Sequence, residues 1–167
     1  MTSQETTMIN LEQLGWETRT IGELDHQLLK APHVKLRALT TGENGDGVFS
    51  VDLRINRPNN DEYLSTTELH SFEHFLLFGF QKYLPQNFIS VAPMGCQTGF
   101  YLILLNEGDA EKICSIYEKI LNDILAATEV PYANIRQCGH YENHNLELAQ
   151  AVARKLLDKK SEWQKVV

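Results

Sequence analysis

The sequence predicts an α+β domain: an antiparallel sheet of four or five strands with helices packed over one face, a two-layer sandwich. Three observations carry this expectation. Val51, Leu53 and Ile55 alternate with Asp52 and Arg54, the period of a strand with one buried face. Phe100 to Leu105 is a continuous apolar run, as expected of a central strand. Ile113, Ile116, Tyr117, Ile120, Leu121, Ile124 and Leu125 recur at helical spacing, the stripe of a helix laid against a core. With 167 residues, 43% of them hydrophobic, the chain can build one domain with a proper core but not two comfortable ones.

Residues 1–20 show little periodicity beyond Ile9, Leu11 and Leu14, so an N-terminal extension is expected there and a single domain over 21–167. Gly22-Glu23-Leu24-Asp25-His26 reads as a polar turn. Val34 to Leu39 is the first strand, and Gly42 to Gly47, with its Asn-Gly and Asp-Gly steps, is a hairpin turn into the second. Pro58-Asn59-Asn60 ends that strand. Ser65-Thr66-Thr67-Glu68 is a capping box that opens a helix running to about Leu84, where Pro85 stops it. Leu69, Phe72, Phe75, Leu76, Leu77, Phe78 and Phe80 make this helix apolar over much of its circumference, which predicts burial. Phe88 to Ala92 is a short strand, followed by a Gly-flanked loop that carries Cys96. Asp109 caps the next helix, and Asn145 starts a last one with Leu146, Ala149, Val152, Ala153, Leu156 and Leu157 inward.

A formal net charge of −7 and the lack of a basic block argue against nucleic acid as a partner. No apolar run reaches membrane-spanning length, and Met1 to Glu5 is polar rather than a signal sequence, so a cytoplasmic protein without a membrane partner is expected. Cys96, Cys114 and Cys138 are too few for a disulfide framework and suit a reducing compartment.

The chemistry gathers on the first helix. His70 and His74 are one turn apart on one face with Glu73 beside them, in the order H-x-x-E-H. Two imidazoles at that spacing can bind one transition metal, while the carboxylate is free to act as a base. A catalytic site needs a third protein ligand and an open position. Cys138, on its Gly-flanked loop, is the best third candidate; His140 with His144 is the competing pair. Two imidazoles and one thiolate suit Zn, Fe(II) or Co rather than Mg or Ca. Cys96 is then available as a proton-shuttling thiolate or as a buried packing residue, and Cys114, beside the apolar stripe of its helix, reads as packing.

His70-Ser71-Phe72-Glu73-His74, Ala92-Pro93-Met94-Gly95-Cys96-Gln97-Thr98-Gly99-Phe100-Tyr101 and Gln137-Cys138-Gly139 resemble the signatures of the LuxS family of S-ribosylhomocysteine lyases. Glu23-Leu24-Asp25-His26, Lys30-Ala31-Pro32 and Asp52-Leu53-Arg54 extend the resemblance over residues 21 to 157. It implies a homodimeric α+β enzyme, of inverse-zincin-like sandwich fold, with active sites at the interface. It further implies one divalent metal per subunit, Fe(II) foremost with Zn or Co as alternatives, on His70, His74 and Cys138. Glu73 and Cys96 would be the acid–base residues, with His26 and Arg54 on the substrate. The implied reaction cleaves S-ribosylhomocysteine to homocysteine and 4,5-dihydroxy-2,3-pentanedione, an autoinducer precursor, by carbonyl migration and β-elimination. Ile21-Gly22, Asn56-Arg57, Ser90-Val91-Ala92 and Leu148 depart from the family pattern, whereas the metal and acid–base positions are intact. H-x-x-E-H also occurs in inverse-zincin metallopeptidases, which have no need of a reactive thiol, and a non-catalytic relative that binds a thioether is the remaining alternative.

Overall fold

The computed structural model describes residues 8–167. Strands β1 (His33–Thr41), β2 (Gly47–Arg54), β3 (Phe88–Pro93) and β4 (Gly99–Leu105) form one antiparallel sheet in the order β1-β2-β4-β3. Helices α1 (Thr66–Tyr83), α2 (Ala110–Ala126) and α3 (Leu146–Asp158) complete the α+β sandwich. β4 is internal, as its unbroken apolar run requires: Phe100, Leu102 and Leu104 are wholly buried.

α1 begins where its capping box places it. Ser65 Oγ accepts the Glu68 N–H at 3.1 Å, and Glu68 Oε2 accepts the Ser65 N–H at 2.6 Å, so two otherwise orphaned donors are satisfied. Leu69, Phe72, Phe75, Leu76 and Phe80 are buried, whereas Phe78 faces outward, 43% exposed. Gly79 is where α2 crosses: a Cβ there would lie 2.5 Å from Ile120 Cγ1, so only glycine permits this approach. α2 and α3 start at Asp109 and Asn145, whose side chains accept N–H groups of Lys112 and Leu148.

Two expectations change. The polar side of β2 is not solvated, as strict alternation would suggest: Asp52 is 1% and Arg54 3% exposed, and their cross-strand neighbours Lys35 and His33 are as deeply covered. The cause is the segment before β1. Gly22 O accepts from Lys35 Nζ, and Lys30 O lies 2.6 Å from His33 Nδ1, binding that segment to this face. The described part of the N-terminal stretch is also not a free extension. Trp16 is 6% exposed, its indole donates to Gly108 O at 2.7 Å, and Ile9, Leu11 and Leu14 pack on the core. Residues 1–7, the rest of that stretch, lie outside the described residues.

The covered polar face predicts a pH dependence. Burial, above the neighbouring positive charges, pushes the His33 imidazole down from 6.5 to about 4. Between those values the unfolded chain binds a proton that the folded chain refuses, so stability must fall as pH falls. Through His33 the loss should reach about 3 kcal/mol by pH 4. Asp52, raised by its own burial, acts in the opposite sense. The readout is therefore the difference in urea midpoint between pH 7 and about pH 4.5, which His33→Gln should shrink.

Candidate metal centre and the thiol loop

His70 and His74 project from the same side of α1, ring centroids 4.7 Å apart and perpendicular. Each ring is keyed by its Nδ1, which lies 3.1 Å from Asn143 O for His70 and 2.7 Å from Pro131 O for His74. A carbonyl can only accept, so Nδ1 carries the proton and Nε2 is left as a lone pair, the form in which imidazole binds a metal. Cys138 reaches them from the loop between α2 and α3. That loop is shaped by Asn134, whose side chain accepts the N–H groups of Arg136 and Gln137 while its carbonyl accepts that of Cys138. Cys138 Sγ lies 3.4 Å from His70 Nε2 and accepts the His140 N–H.

A fourth group joins them. His144, immediately before the α3 cap, has its Nε2 3.4 Å from Cys138 Sγ. Its ring centroid is 4.0 Å from that of His70 and 4.4 Å from that of His74. Donor atoms of His70, His74, Cys138 and His144 all lie within 4.8 Å of one another. About 2.3 Å to sulfur and 2.0–2.1 Å to nitrogen give a tetrahedral S–N edge of about 3.5 Å, so the 3.4 Å separations fit a transition-metal site. His140, weighed with His144 as a competing pair, stays outside this group, its ring 6.5 Å from that of His70. Burial, then the neighbouring His74, holds His70 below the ordinary histidine value, and burial with its imidazole neighbours brings His144 to about 4. Both imidazoles therefore favour the uncharged form.

Glu73 lies on the same turn of α1, half-buried. Burial raises its carboxyl above the usual range, partly offset by His74. A carboxyl displaced towards neutral pH is suited to taking and returning protons.

Cys96 occupies a second locus, the exposed turn between β3 and β4. Met94 N–H donates to Gly99 O and Gln97 N–H to Met94 O, which closes the turn around the thiol. Gly99 is fixed by close approach to β2: a Cβ there would meet Leu53 O at 2.5 Å. This packing brings Arg54 beneath the turn. Arg54 Nη1 donates to Thr98 Oγ1 at 2.6 Å and lies 3.8 Å from Cys96 Sγ, which is itself 3.0 Å from Thr98 Oγ1. Burial pushes the Cys96 thiol up, but Thr98's hydrogen bonds and the Arg54 guanidinium outweigh it, leaving a net lowering.

His26 is half-buried, its Nδ1 3.0 Å from Leu24 O, in an open cleft shared with Arg57 and Asn59. Thus His70, His74 and Cys138 converge, with His144 beside them, and Cys96 pairs with Arg54. Among the described residues no hydrogen bond joins the imidazole cluster to Cys96, Arg54 or His26. Of the pair His140 and His144 that competed with Cys138 as the further ligand, His144 is in the group and His140 is not; the position of His144 directly before a helix cap was the available signal.

The family model LuxS, S-ribosylhomocysteinase, matches residues 22–167. An S-ribosylhomocysteine lyase of Halobacillus halophilus is 43% identical over 143 residues, 86% of this chain and 93% of its own. Those of Chromohalobacter salexigens and Helicobacter pylori are each 44% identical over 143 residues, 86% of this chain and 91% of theirs. With the family match spanning the whole sheet, all three helices and both loci, the chain belongs to the LuxS family of S-ribosylhomocysteinases.

Proposed function

We propose that the protein is a carbon–sulfur lyase that cleaves S-ribosylhomocysteine to homocysteine and a dihydroxypentanedione. The observation that carries this reading is the cluster of N and S donors His70, His74, Cys138 and His144, with Glu73 on the same turn of α1, in a LuxS-family chain. His70, His74 and Cys138 would hold the divalent metal, for which Fe(II) is the foremost candidate and Zn or Co the alternatives. Bound there, the cation supplies Lewis acidity that polarises the ribose carbonyl and stabilises negative charge on its oxygen.

The chain's own residues account for the proton traffic. Moving a carbonyl along the ribose requires a proton to leave one carbon and another to arrive at its neighbour. Glu73, with its raised carboxyl, and Cys96, with its lowered thiol, are matched to those transfers. Once the carbonyl is β to the carbon bearing sulfur, the hydrogen between them is acidic. Its removal by the acid–base pair forms the carbon–carbon double bond and expels the thiolate of homocysteine, which takes up a proton. Arg54, fixed by Thr98, offers its guanidinium to a substrate carboxylate or hydroxyls, and His26, in its cleft with Arg57 and Asn59, is read as a second substrate contact.

Cys96 and Arg54 belong to a different locus from the imidazoles, so we read the active site as shared between two copies in a homodimer. What supports this is the separation of their hydrogen-bond networks and the exposure of Leu28, Tyr63, Ile89 and Ile135. Among the described residues no helix is long and apolar enough to cross a membrane, and all three cysteines are free, which suits the cytoplasm. The test is thiol release from S-ribosylhomocysteine by anaerobically prepared, Fe(II)-loaded protein. Release of one thiol per substrate, lost on chelation, is the expected result; none from folded, metal-loaded protein would reject the lyase assignment.

A further inference from the structure

Three imidazoles, not two, surround the Cys138 sulfur, and His144 is held differently from the others. His70 and His74 turn Nδ1 to main-chain carbonyls. His144 Nδ1 instead lies 3.2 Å from the hydroxyl of Ser71, a wholly buried residue between His70 and His74 on α1. Ser71 Oγ already accepts the Asn145 N–H at 2.9 Å, and a hydroxyl that accepts can also donate. With the Ser71 O–H directed to Nδ1, the single proton of the neutral ring resides on Nε2, which lies 3.4 Å from Cys138 Sγ. Every member of the resulting chain is polarised in one direction: Asn145 N–H to Ser71 Oγ, Ser71 O–H to His144 Nδ1, His144 Nε2–H to the sulfur.

We propose that His144 is not a fourth metal ligand but the hydrogen-bond donor that tunes the Cys138 thiolate of the loaded site. The inference rests on reading His70, His74 and Cys138 as the ligand set. An N–H directed at the Cys138 thiolate would withdraw electron density from sulfur, so a cation held by His70, His74 and Cys138 would keep more of its Lewis acidity. His144 is a positioning residue acting through Cys138. Two helices fix it, because Ser71 lies within α1 and Asn145 is the N-cap of α3.

Co(II) is the probe, since its thiolate charge-transfer band reports the charge on sulfur without any turnover. Wild type, His144→Gln, His144→Ala and Ser71→Ala are to be loaded and compared in stoichiometry, affinity and band position. Each variant should bind one Co(II) per chain, with affinity reduced by no more than about 100-fold. The band should move to lower energy in His144→Ala and Ser71→Ala and stay near wild type in His144→Gln, whose amide retains an N–H. Failure of His144→Ala to fold leaves Ser71→Ala and His144→Gln to give the same contrast. Loss of stoichiometric Co(II) binding in folded His144→Gln would make the residue a ligand, and a band unmoved in every variant would make it a bystander; either overturns the proposal. A wild type that binds Co(II) with no thiolate band would instead remove Cys138 from the ligand set, and the inference with it.

Discussion

Cys96→Ala is expected to lower thiol release from S-ribosylhomocysteine by about 10²–10⁴-fold, the range typical of a lost acid–base group, with fold and metal content unchanged. The expectation of an intact fold is structural. Cys96 is exposed, and its sulfur's hydrogen-bond partners, Thr98 and Arg54, remain bonded to each other at 2.6 Å without it. Glu73→Gln should lower the rate comparably, because it keeps shape and hydrogen-bonding capacity but cannot exchange a proton. The two losses should differ in kind. Glu73 shares a turn with two imidazoles of the cluster, so its substitution is expected to shift metal affinity slightly; Cys96, on another loop, should leave it unmoved. Thiol titration, metal analysis and circular dichroism on the same samples separate these effects. Full thiol release by Cys96→Ala would remove Cys96 from the acid–base pair and leave the proton transfers to Glu73 alone.

How much of this was legible in sequence depends on how local the determining physics is. The capping box at Ser65 and Glu68, the stripe of α2 and the i, i+4 placement of His70 and His74 are decided within one or two turns of chain, and the structure has them where spacing predicts. The location of Cys138 was inferable because few residue types complete a pair of imidazole ligands, although its approach depends on an Asx turn at Asn134. Side-chain surroundings across the sheet were not legible. Alternation in β2 correctly assigns Asp52 and Arg54 to one face, but says nothing about the segment before β1 that covers it. The role of Trp16 was hidden for the same reason: its partner, Gly108 O, is 92 residues away, beyond any periodicity. Of the competing pair His140 and His144 only His144 joins the group, because the cap at Asn145 and the hydroxyl of Ser71 turn its ring towards α1, which spacing alone does not show.

Removal of a ligand should be visible as lost stabilisation as well as lost chemistry, and Cys138→Ala is the cleanest variant for that purpose. A metal that binds only the folded chain stabilises it in proportion to RT ln(1 + [M]/Kd), about 4 kcal/mol at a thousandfold excess over Kd. Wild-type protein should therefore melt well above its metal-free form, and Cys138→Ala should show almost no difference between the two. The effect should also exceed the 10–100-fold loss of affinity that removal of a mere hydrogen-bond partner of a ligand causes. His74→Ala would be harder to interpret, because His74 is 6% exposed and its ring also satisfies the carbonyl of Pro131, so its deletion leaves both a cavity and an unpaired acceptor. Cys138 is only half-buried, and its removal costs little packing. Titrating Zn(II), Co(II) and Fe(II) into both proteins while following the melting temperature yields the selectivity of the site as well as its existence. Equal stabilisation of wild type and Cys138→Ala would place the metal elsewhere, whereas its loss only in the variant ties the thiolate to the bound ion. Because the same cation supplies Lewis acidity in the proposed reaction, one Kd should describe both readouts: thiol release saturates as the site fills, while stability goes on rising as RT ln(1 + [M]/Kd).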